Sequence, residues 1–381
     1  MPPRIALLAV LLLTACSAPP PPPPAPRPAA KVVGYFTNWG TYGRDFQVRD
    51  VATSGAAAEL THLLYAFGRV EDGRCRGGDD WADFGKPVTA ADSVTGTAAP
   101  GGNFAQLRLL KGRHPGLKVL WSFGGWNGSA GFTAAARDPA AFAESCRRLL
   151  TDQRWAGLFD GIDIDWEYPN ACGVTCDTSG RDALPALLAA LRPHFGLVSA
   201  AVPGDVGKLS VTDYAAAATH ADWLSAMTYD FFGTGDSPGP TAAHSALTDY
   251  PGIPRAGASA DHTIRELRAL GVPAEKVLLG VGFYGRGWTG VTPPSAGTTA
   301  AGPAAMADYR ELSRRCPPTG LLGGTSYAAC GDQWWSYDTP ATIKTKMAYA
   351  REHALGGAFA WELSGDTGSA DLLKAMAAGL G

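Results

Sequence analysis

The chain has 381 residues, of which 46% are hydrophobic and 18% are charged. This length suits one large domain or two smaller ones, and the apolar fraction is that of a globular protein, which excludes a disordered or fibrous chain. Lys and Arg total 32 against 35 Asp and Glu, so the formal charge is -3. Without a basic excess to neutralise a phosphate backbone, no nucleic-acid partner is expected.

The N-terminal segment is predicted to hold an export signal followed by a spacer. Arg4 precedes an apolar run over residues 5–13 that is too short to cross a bilayer of about 30 Å. The following Leu13-Thr14-Ala15-Cys16 resembles the lipobox of bacterial lipoproteins, although an ordinary secretory signal is the alternative. We predict a lipoprotein signal over residues 1–15 and a lipidated Cys16 that begins a stiff proline-rich linker to residue 30. The expected location is the cell surface or, without the lipid, the extracellular medium.

Six cysteines remain beyond the lipobox, and in an exported protein they favour disulfides over metal or redox sites. The predicted pairs are local: Cys172 with Cys176, and Cys316 with Cys330. Cys75 and Cys146 could form a third bridge or stay free. The seven His are scattered and no HExxH or paired CxxC pattern occurs, so neither a metal nor another cofactor is expected.

From Lys31 onward, short apolar runs alternate with longer amphipathic ones. The short runs are nearly continuous in apolar residues, which is typical of parallel strands buried on both faces. Eight such strands are predicted, at residues 32–39, 60–68, 118–126, 159–167, 197–203, 223–231, 277–285 and 357–363. Helices are predicted between them, at residues 104–113, 139–153, 181–195, 261–270 and 342–353.

This alternation predicts an α/β fold, a (β/α)8 TIM barrel over residues 31–381. A doubly wound open sheet is the alternative, but it would need a glycine-rich phosphate loop after the first strand, and no GxGxxG is found there. About fifty residues separate the seventh strand from the last helix–strand pair, and a plain loop of that length is unusual in a compact domain. We therefore predict a small inserted subdomain over residues 289–336.

The fourth predicted strand carries three acids. Because side chains alternate along a strand, Asp163, Asp165 and Glu167 share one face, and Ile162 and Ile164 share the other. In a barrel the apolar face packs against the helices and the acidic face lines the interior, with Glu167 at the carboxyl end where barrel enzymes keep their active sites. A solvated acidic face or a calcium site is the alternative, but the interleaved Ile residues disfavour the first and calcium prefers flexible loops.

Neighbouring buried carboxylates cannot all ionise, so the pKa of one of them must rise. A raised-pKa acid beside an ionised one is what cleavage of a glycosidic bond requires. Many retaining glycosidases place a second carboxylate across the sugar, whereas these acids follow one another on one strand. The nucleophile can then come from the substrate, and a 2-acetamido carbonyl oxygen is the obvious candidate.

The same strand resembles a known family. Its pattern Asp160-x-x-Asp163-x-Asp165-x-Glu167 matches the DxxDxDxE signature of family 18 glycoside hydrolases, the chitinases, which use a substrate-assisted mechanism. Further motifs of that family have counterparts in order along the chain, at residues 122–126, 226–231, 282–288 and 356–362. The resemblance extends over residues 32–377 and implies the barrel fold and a chitin substrate.

The resemblance also implies roles for individual residues. Glu167 would protonate the leaving oxygen and then activate water, while Asp165 would orient the acetamido group and stabilise an oxazolinium ring. Asp163 would share a proton with Asp165, and Tyr229 would donate a hydrogen bond to the acetamido oxygen. Further substrate-binding or supporting positions are Trp361, Trp126, Asp230, Met227, Tyr35, Ser122, Tyr284 and Arg286.

Among these, Trp361 resembles the floor beneath the distorted sugar and Trp126 a platform on the leaving-group side. Other tryptophans fit a sugar-binding surface or a core equally well: Trp39, Trp81, Trp334 and Trp335. The inserted segment is short compared with the subdomain that walls the cleft in many of these chitinases. The depth of the cleft, and with it endo or processive action, stays open.

The sequence thus predicts a chitinase that cleaves β-1,4 bonds between N-acetylglucosamine units with retention, through an oxazolinium intermediate. An endo-β-N-acetylglucosaminidase acting on the core of N-glycans is one alternative. A glycan-binding lectin on an inactive barrel is another, although such relatives usually lack the catalytic Glu. Chitin or N-acetylglucosamine oligosaccharides are the expected partners, with membrane contact only through the lipid anchor, and the protein is expected to be a monomer.

Overall fold

The computed structural model describes residues 29–233, 235, 238–302 and 304–381. The predicted signal peptide, Cys16 and the linker up to residue 28 lie outside these residues and stay predictions. No helix in the described part is long and apolar enough to cross a membrane.

The strands of the described residues form two sheets. They are β1 (Lys31–Thr37), β2 (His62–Glu71), β3 (Arg74–Arg76), β4 (Lys118–Gly124), β5 (Gly161–Asp165), β6 (Leu197–Pro203), β7 (Trp223–Met227), β8 (Val277–Gly282), β9 (Tyr284–Trp288), β10 (Ala305–Asp308), β11 (Gly320–Leu322), β12 (Thr325–Cys330), β13 (Gln333–Tyr337) and β14 (Gly357–Trp361). The first sheet has the order β1-β14-β8-β7-β6-β5-β4-β2, with β3 added antiparallel to β2. Because β1 also pairs parallel with β2, the eight parallel strands of this sheet form a closed barrel. The predicted TIM barrel is confirmed, and the open-sheet alternative is wrong.

Helices surround this barrel. They are α1 (Val48–Thr53), α2 (Ala56–Glu59), α3 (Gly102–Arg113), α4 (Phe132–Ala135), α5 (Pro139–Leu150), α6 (Ala183–Leu191), α7 (Val206–Leu209), α8 (Tyr214–His220), α9 (Ala260–Ala269), α10 (Tyr309–Arg315), α11 (Pro340–Glu352) and α12 (Asp371–Leu380). The start of α5 illustrates how the sequence sets these limits. The Asp138 carboxylate accepts a hydrogen bond from the Ala141 N–H, and Pro139 occupies the first turn, where no N–H is needed.

The two faces of each barrel strand have different surroundings. Ile162 and Ile164 of β5 are buried in the apolar layer between strands and helices. Asp163 and Asp165, which alternate with these two residues, point into the barrel. Its interior also holds apolar side chains from other strands, such as Leu64. This alternation agrees with the faces predicted from the sequence.

Six of the eight barrel strands end earlier than predicted, and two of them illustrate the cause. The fourth barrel strand stops at Asp165. The Glu167 N–H donates to the Ser129 hydroxyl and not to a neighbouring strand, so Glu167 lies in the loop beyond. The seventh barrel strand stops at Gly282. Phe283 donates its N–H to Trp361 and accepts from Tyr309, after which the chain leaves the barrel as β9.

The segment between β8 and α11 builds the second sheet, which is antiparallel with the order β10-β9-β13-β12-β11 and is accompanied by α10. Trp334 and Trp335 of β13 are buried, and Trp334 packs against Trp288 and Tyr327. Of the two roles that the sequence left open for these tryptophans, the structure favours the core.

The described residues contain three disulfides. The bridges Cys172–Cys176 and Cys316–Cys330 are local, with sequence separations of 4 and 14. The pair that the sequence left undecided, Cys75 and Cys146, is bridged and joins β3 to α5 across 71 residues. In the chain-entropy picture a loop of this length gives the largest stabilisation of the three, about 4 kcal/mol.

Candidate active site

An open cleft of about 860 Å³ lies at the carboxyl ends of the barrel strands. Its lining includes residues at or just beyond these ends, such as Gly124, Asp165, Gly204, Met227 and Trp361. This is the end at which barrel enzymes place their catalytic groups. The three acids of the fourth barrel strand and the loop after it form one side of this site.

Asp163 is the innermost of the three acids and is completely buried. Its Oδ2 accepts hydrogen bonds from the Tyr35 hydroxyl (2.9 Å) and the Ser122 hydroxyl (2.7 Å), and its Oδ1 accepts one from Ser199 (2.6 Å). Burial raises the pKa of Asp163, and the three hydroxyl donors oppose that rise because they stabilise the carboxylate.

Asp165 differs from Asp163 in its hydrogen bonding. It is buried, and its Oδ1 has no hydrogen-bond partner. Burial, together with the nearby charges of Glu167 and Asp163, raises the pKa of Asp165 well above its usual range. Since no donor compensates it, Asp165 is the member of this pair that holds a proton most readily.

Glu167 is partly exposed to the cleft. Burial raises its pKa to about 7, because Tyr168 and Lys208 only partly compensate the lost hydration. Its backbone N–H donates to the Ser129 hydroxyl (2.8 Å), which in turn donates to the carbonyls of Gly125 and Asp165. Ser129 therefore fixes the loop that carries Glu167. Because its pKa is close to neutral pH, Glu167 can both donate and accept a proton there.

Tyr229 follows β7 and faces the same cleft. Burial and the neighbouring Tyr284, Asp165 and Glu167 raise the pKa of Tyr229 well above its usual value. Its hydroxyl therefore stays protonated and can act as a hydrogen-bond donor to a ligand in the cleft.

Asp230 is locked by Arg286. The guanidinium Nε and a terminal nitrogen of Arg286 donate to the two Asp230 oxygens at 2.7 and 2.8 Å, a bidentate pair. The loss of hydration in the cleft would raise the pKa of Asp230, but the bonds from Arg286 and the neighbouring His244 hold it well below its ordinary value. Asp230 is thus a fixed anion and not a proton donor.

Aromatic rings give the cleft its apolar surfaces. The ring of Trp361 is 5.1 Å from Tyr35, stacks with Phe67 at 5.6 Å and lies 6.4 Å from Trp39. Trp126 is 51% exposed and contacts Tyr168, next to Glu167. Such broad, half-open rings can hold the apolar face of a flat ligand.

The structure therefore brings most of the predicted site residues to one cleft. Those that line it are Glu167, Asp165, Tyr229, Trp361, Trp126, Asp230, Met227, Tyr35 and Arg286. Ser122 and Tyr284 are buried and not part of this lining. They support the lining residues instead, since Ser122 bonds Asp163 and Tyr284 packs against Tyr229.

Sequence reasoning missed several contributors. Ser199 of β6 bonds Asp163, and the available signal was a serine at an inward position of an otherwise apolar strand. Ser129 lies on a short turn with no motif to mark it. Lys208, 3.9 Å from the ring centre of Tyr168, lines the cleft beside Glu167. In the described ranges, no group of three or more His, Cys, Asp or Glu is arranged to hold a metal ion.

This arrangement agrees with comparisons to known proteins. The model of glycosyl hydrolases family 18 matches residues 31–366. Chitinase C of Streptomyces lividans is 52% identical over 365 residues, which are 91% of this chain and 59% of that protein. Chitinase 63 of Streptomyces plicatus is 50% identical over 374 residues, which are 93% of this chain and 61% of that protein.

Among solved structures, the catalytic domain of the psychrophilic chitinase B from Arthrobacter TAD20 superposes with a TM-score of 0.86 at 33% identity. That match covers 92% of this chain and 95% of the other. The chain spans about three fifths of the length of the two Streptomyces relatives. With Asp165 and Glu167 of the signature lining one cleft and the family model matched across the barrel, the chain belongs to family 18 of the glycosyl hydrolases.

Proposed function

We propose that the protein is a chitinase that hydrolyses β-1,4 bonds between N-acetylglucosamine units with retention of configuration. The observation that carries this proposal is the row of acids at the cleft, in which Asp163 is bonded by hydroxyls, Asp165 has an unpartnered oxygen and Glu167 faces the open space. The names of the Streptomyces relatives support the substrate.

The first step needs a proton donor and a nucleophile. Protonated Glu167 gives its proton to the glycosidic oxygen, and that bond breaks. The acetamido carbonyl oxygen of the same sugar forms a new bond to the anomeric carbon, which yields a positively charged oxazolinium ring. The Tyr229 hydroxyl, held in its protonated form, donates to that carbonyl oxygen and positions it.

The positive ring needs an anion beside it. In this proposal Asp165 passes its proton to Asp163 and turns its carboxylate toward the acetamido N–H. Asp163 Oδ1 accepts one hydrogen bond, from Ser199, so a lone pair remains for that proton. Glu167, now ionised, takes a proton from water, and the water oxygen opens the ring by attacking the anomeric carbon. Two inversions give net retention. Glu167 ends protonated as it began, and the proton on Asp163 returns to Asp165.

The direct test uses a purified chain and two substrates. Soluble N-acetylglucosamine hexamer and colloidal chitin should be cleaved, with the new reducing ends released as the β-anomer. Release of a glycan from a high-mannose glycoprotein, without cleavage of the hexamer, would instead indicate an endo-β-N-acetylglucosaminidase. Binding of the hexamer without turnover would leave only a lectin.

The activity is expected to fall as the pH rises through about 7. Burial holds the pKa of Glu167 at about 7 in the free protein, and the first step uses its protonated form. That form is present below this pH and lost above it, so the alkaline limb of kcat/KM should report this group. A profile of kcat/KM from pH 4 to 10 on a fluorogenic chitobioside measures it.

Lys208 allows a matched control of the same prediction. Its positive charge favours ionised Glu167, whereas Asp230 acts in the opposite sense. Lys208→Met should move the alkaline limb to higher pH by roughly 0.3 to 1 unit, and Lys208→Arg should leave it near the original position. An unmoved limb in Lys208→Met, with only the rate changed, would assign Lys208 a packing role.

A further inference from the structure

The backbone of Glu167 is held on its N–H side and closely approached on its carbonyl side. The Ser129 hydroxyl accepts the Glu167 N–H. On the other side, a methyl group placed on Gly173 would lie 2.3 Å from the Glu167 carbonyl oxygen and 3.5 Å from Cζ3 of Trp126. Carbon and oxygen atoms that are not bonded do not approach to the first of these distances, so only a glycine fits against this carbonyl.

Gly173 belongs to a short loop closed by a disulfide, residues 172–176, which we call the cystine loop. The bridge joins two cysteines that are four positions apart. Inside the loop the Gly173 N–H donates to the Thr175 carbonyl at 3.0 Å, and at its base the Asp177 N–H donates to the Ala171 carbonyl at 2.9 Å. The covalent bond and these hydrogen bonds leave the loop little freedom to move away from the acid.

Asp177 anchors the cystine loop to the helical layer of the barrel. It is buried, and its Oδ1 accepts the hydroxyl of Thr133 on α4 at 2.7 Å. Its Oδ2 accepts the Asn170 N–H at 2.7 Å, and Ser179 donates both its hydroxyl and its N–H to the same carboxylate. Burial would raise the pKa of Asp177, but these donors hold it below its ordinary value, so the carboxylate stays ionised at neutral pH and accepts all four bonds.

One short stretch of chain holds both sides of the acid. Ser129 lies on the 3₁₀ turn Ser129–Gly131, and α4 with Thr133 follows directly. This stretch fixes Glu167 directly through the Ser129 hydroxyl, and it fixes the cystine loop through the bond from Thr133 to Asp177. The N–H side and the carbonyl side of Glu167 are therefore kept in register with each other.

We propose that Gly173, presented by the cystine loop, is a positioning residue for Glu167, whose carboxyl it keeps at the place where the glycosidic oxygen is protonated. This proposal rests on the proposed function. Gly173 is not part of the lining of the cleft, so it acts through its neighbours and not on the substrate. Proton transfer needs hydrogen-bond distance, and a displacement of about 1 Å can lower a rate by about 10²-fold.

Burial of apolar surface does not explain the cystine loop. Its two cysteines, Val174 and Thr175 are exposed, and Val174 is 56% exposed. A loop whose side chains face solvent adds little to the core. The three atoms nearest to a methyl group on Gly173 all belong to Glu167 or Trp126. The tightest contact of Gly173 is therefore with the acid, which favours a positioning role over a stabilising one.

The test adds one methyl group to this contact. Gly173→Ala should lower kcat on the N-acetylglucosamine hexamer by about ten- to hundredfold, because the loop and the Glu167 carbonyl must separate by roughly 1 Å more. KM should change by less than about threefold, since the residues that line the cleft are kept. The alkaline limb of kcat/KM should move to lower pH, because a loosened contact admits water to a carboxyl whose pKa is raised by burial. A loss of folded protein alone would not move this limb.

A second variant and two controls accompany it. Replacing both Cys172 and Cys176 by Ser opens the loop without crowding the contact, and it should lower kcat by about three- to tenfold. Gly112→Ala is the matched control, because a methyl group at this position of α3 meets no atom within 4 Å, and kcat should stay within about twofold. Replacing Cys316 and Cys330 by Ser opens the bridge in the second sheet and should leave the alkaline limb in place.

A crystal structure of Gly173→Ala gives a readout that does not depend on activity. The Glu167 carboxyl should lie about 1 Å from its position in the unaltered protein. A carboxyl in its original place, or an unchanged kcat with an unmoved alkaline limb, would overturn the positioning role while leaving the chitinase intact. If the unaltered protein cleaves neither the hexamer nor a fluorogenic chitobioside, the proposed function fails, and the displacement still decides whether Gly173 positions Glu167.

Discussion

Replacing Glu167 by Gln is expected to lower kcat by about 10²–10⁴-fold or more while the affinity for N-acetylglucosamine oligomers stays nearly unchanged. Gln has the size of Glu but no transferable proton, so the leaving oxygen would depart unprotonated and water would attack without a base. The fixed surroundings of this position do not depend on the carboxylate. Ser129 bonds the backbone N–H of residue 167, and Asp163 is held by its own three hydroxyl donors.

The measurement separates chemistry from binding. kcat is determined on the hexamer, and affinity is determined from the change in tryptophan fluorescence when the oligomer is added. Glu352→Gln is the matched control, since Glu352 is exposed at the end of α11, and its rate should stay within about twofold of the parent. A near-normal rate in Glu167→Gln would refute its role as acid and base.

The sequence predicted the barrel and the acids because both depend on local patterns. Continuous apolar runs identified all eight barrel strands, and the alternation of Ile162 and Ile164 with Asp163 and Asp165 set the faces of β5. In a closed barrel, an acid on the inward face of a strand must lie in the barrel interior or at its mouth. The position of the site could therefore be predicted from the pattern of this one strand. The observed ends of the strands could not be predicted from these patterns, because hydrogen bonds to other segments set them, such as the bond from the Glu167 N–H to the Ser129 hydroxyl.

Contacts between residues far apart in the chain could not be predicted from the sequence for the same reason. Ser199 reaches Asp163 across two neighbouring strands, and Cys146 meets Cys75 across 71 residues. Local periodicity marks Ser199 as an inward serine but does not identify the partner of either residue. The tryptophans illustrate the point, since Trp81 and Trp334 have similar local sequence support but one is exposed beside Tyr42 and the other fills the core of the second sheet.

A substrate without the N-acetyl group should be essentially inert. The reason is that no carboxylate in the described lining of the cleft suits a nucleophile. Asp230 is tied by two bonds from Arg286, and Asp205 accepts the N–H groups of Gly207 and Lys208 at the start of α7. Asp165 is adjacent to Glu167 on the same segment and holds a proton. The attacking oxygen then has to come from the sugar itself.

The comparison uses matched oligomers of N-acetylglucosamine, glucosamine and glucose at equal length, with products followed by mass. Only the first should be cleaved, and in a partly deacetylated oligomer every cut should fall after an acetylated unit, because that unit supplies the nucleophile. Inhibition by the inert oligomers serves as the control that they still enter the cleft. Efficient hydrolysis of the glucose oligomer would mean that a protein carboxylate or water attacks the anomeric carbon directly, and it would exclude the oxazolinium route even if Glu167 proved essential.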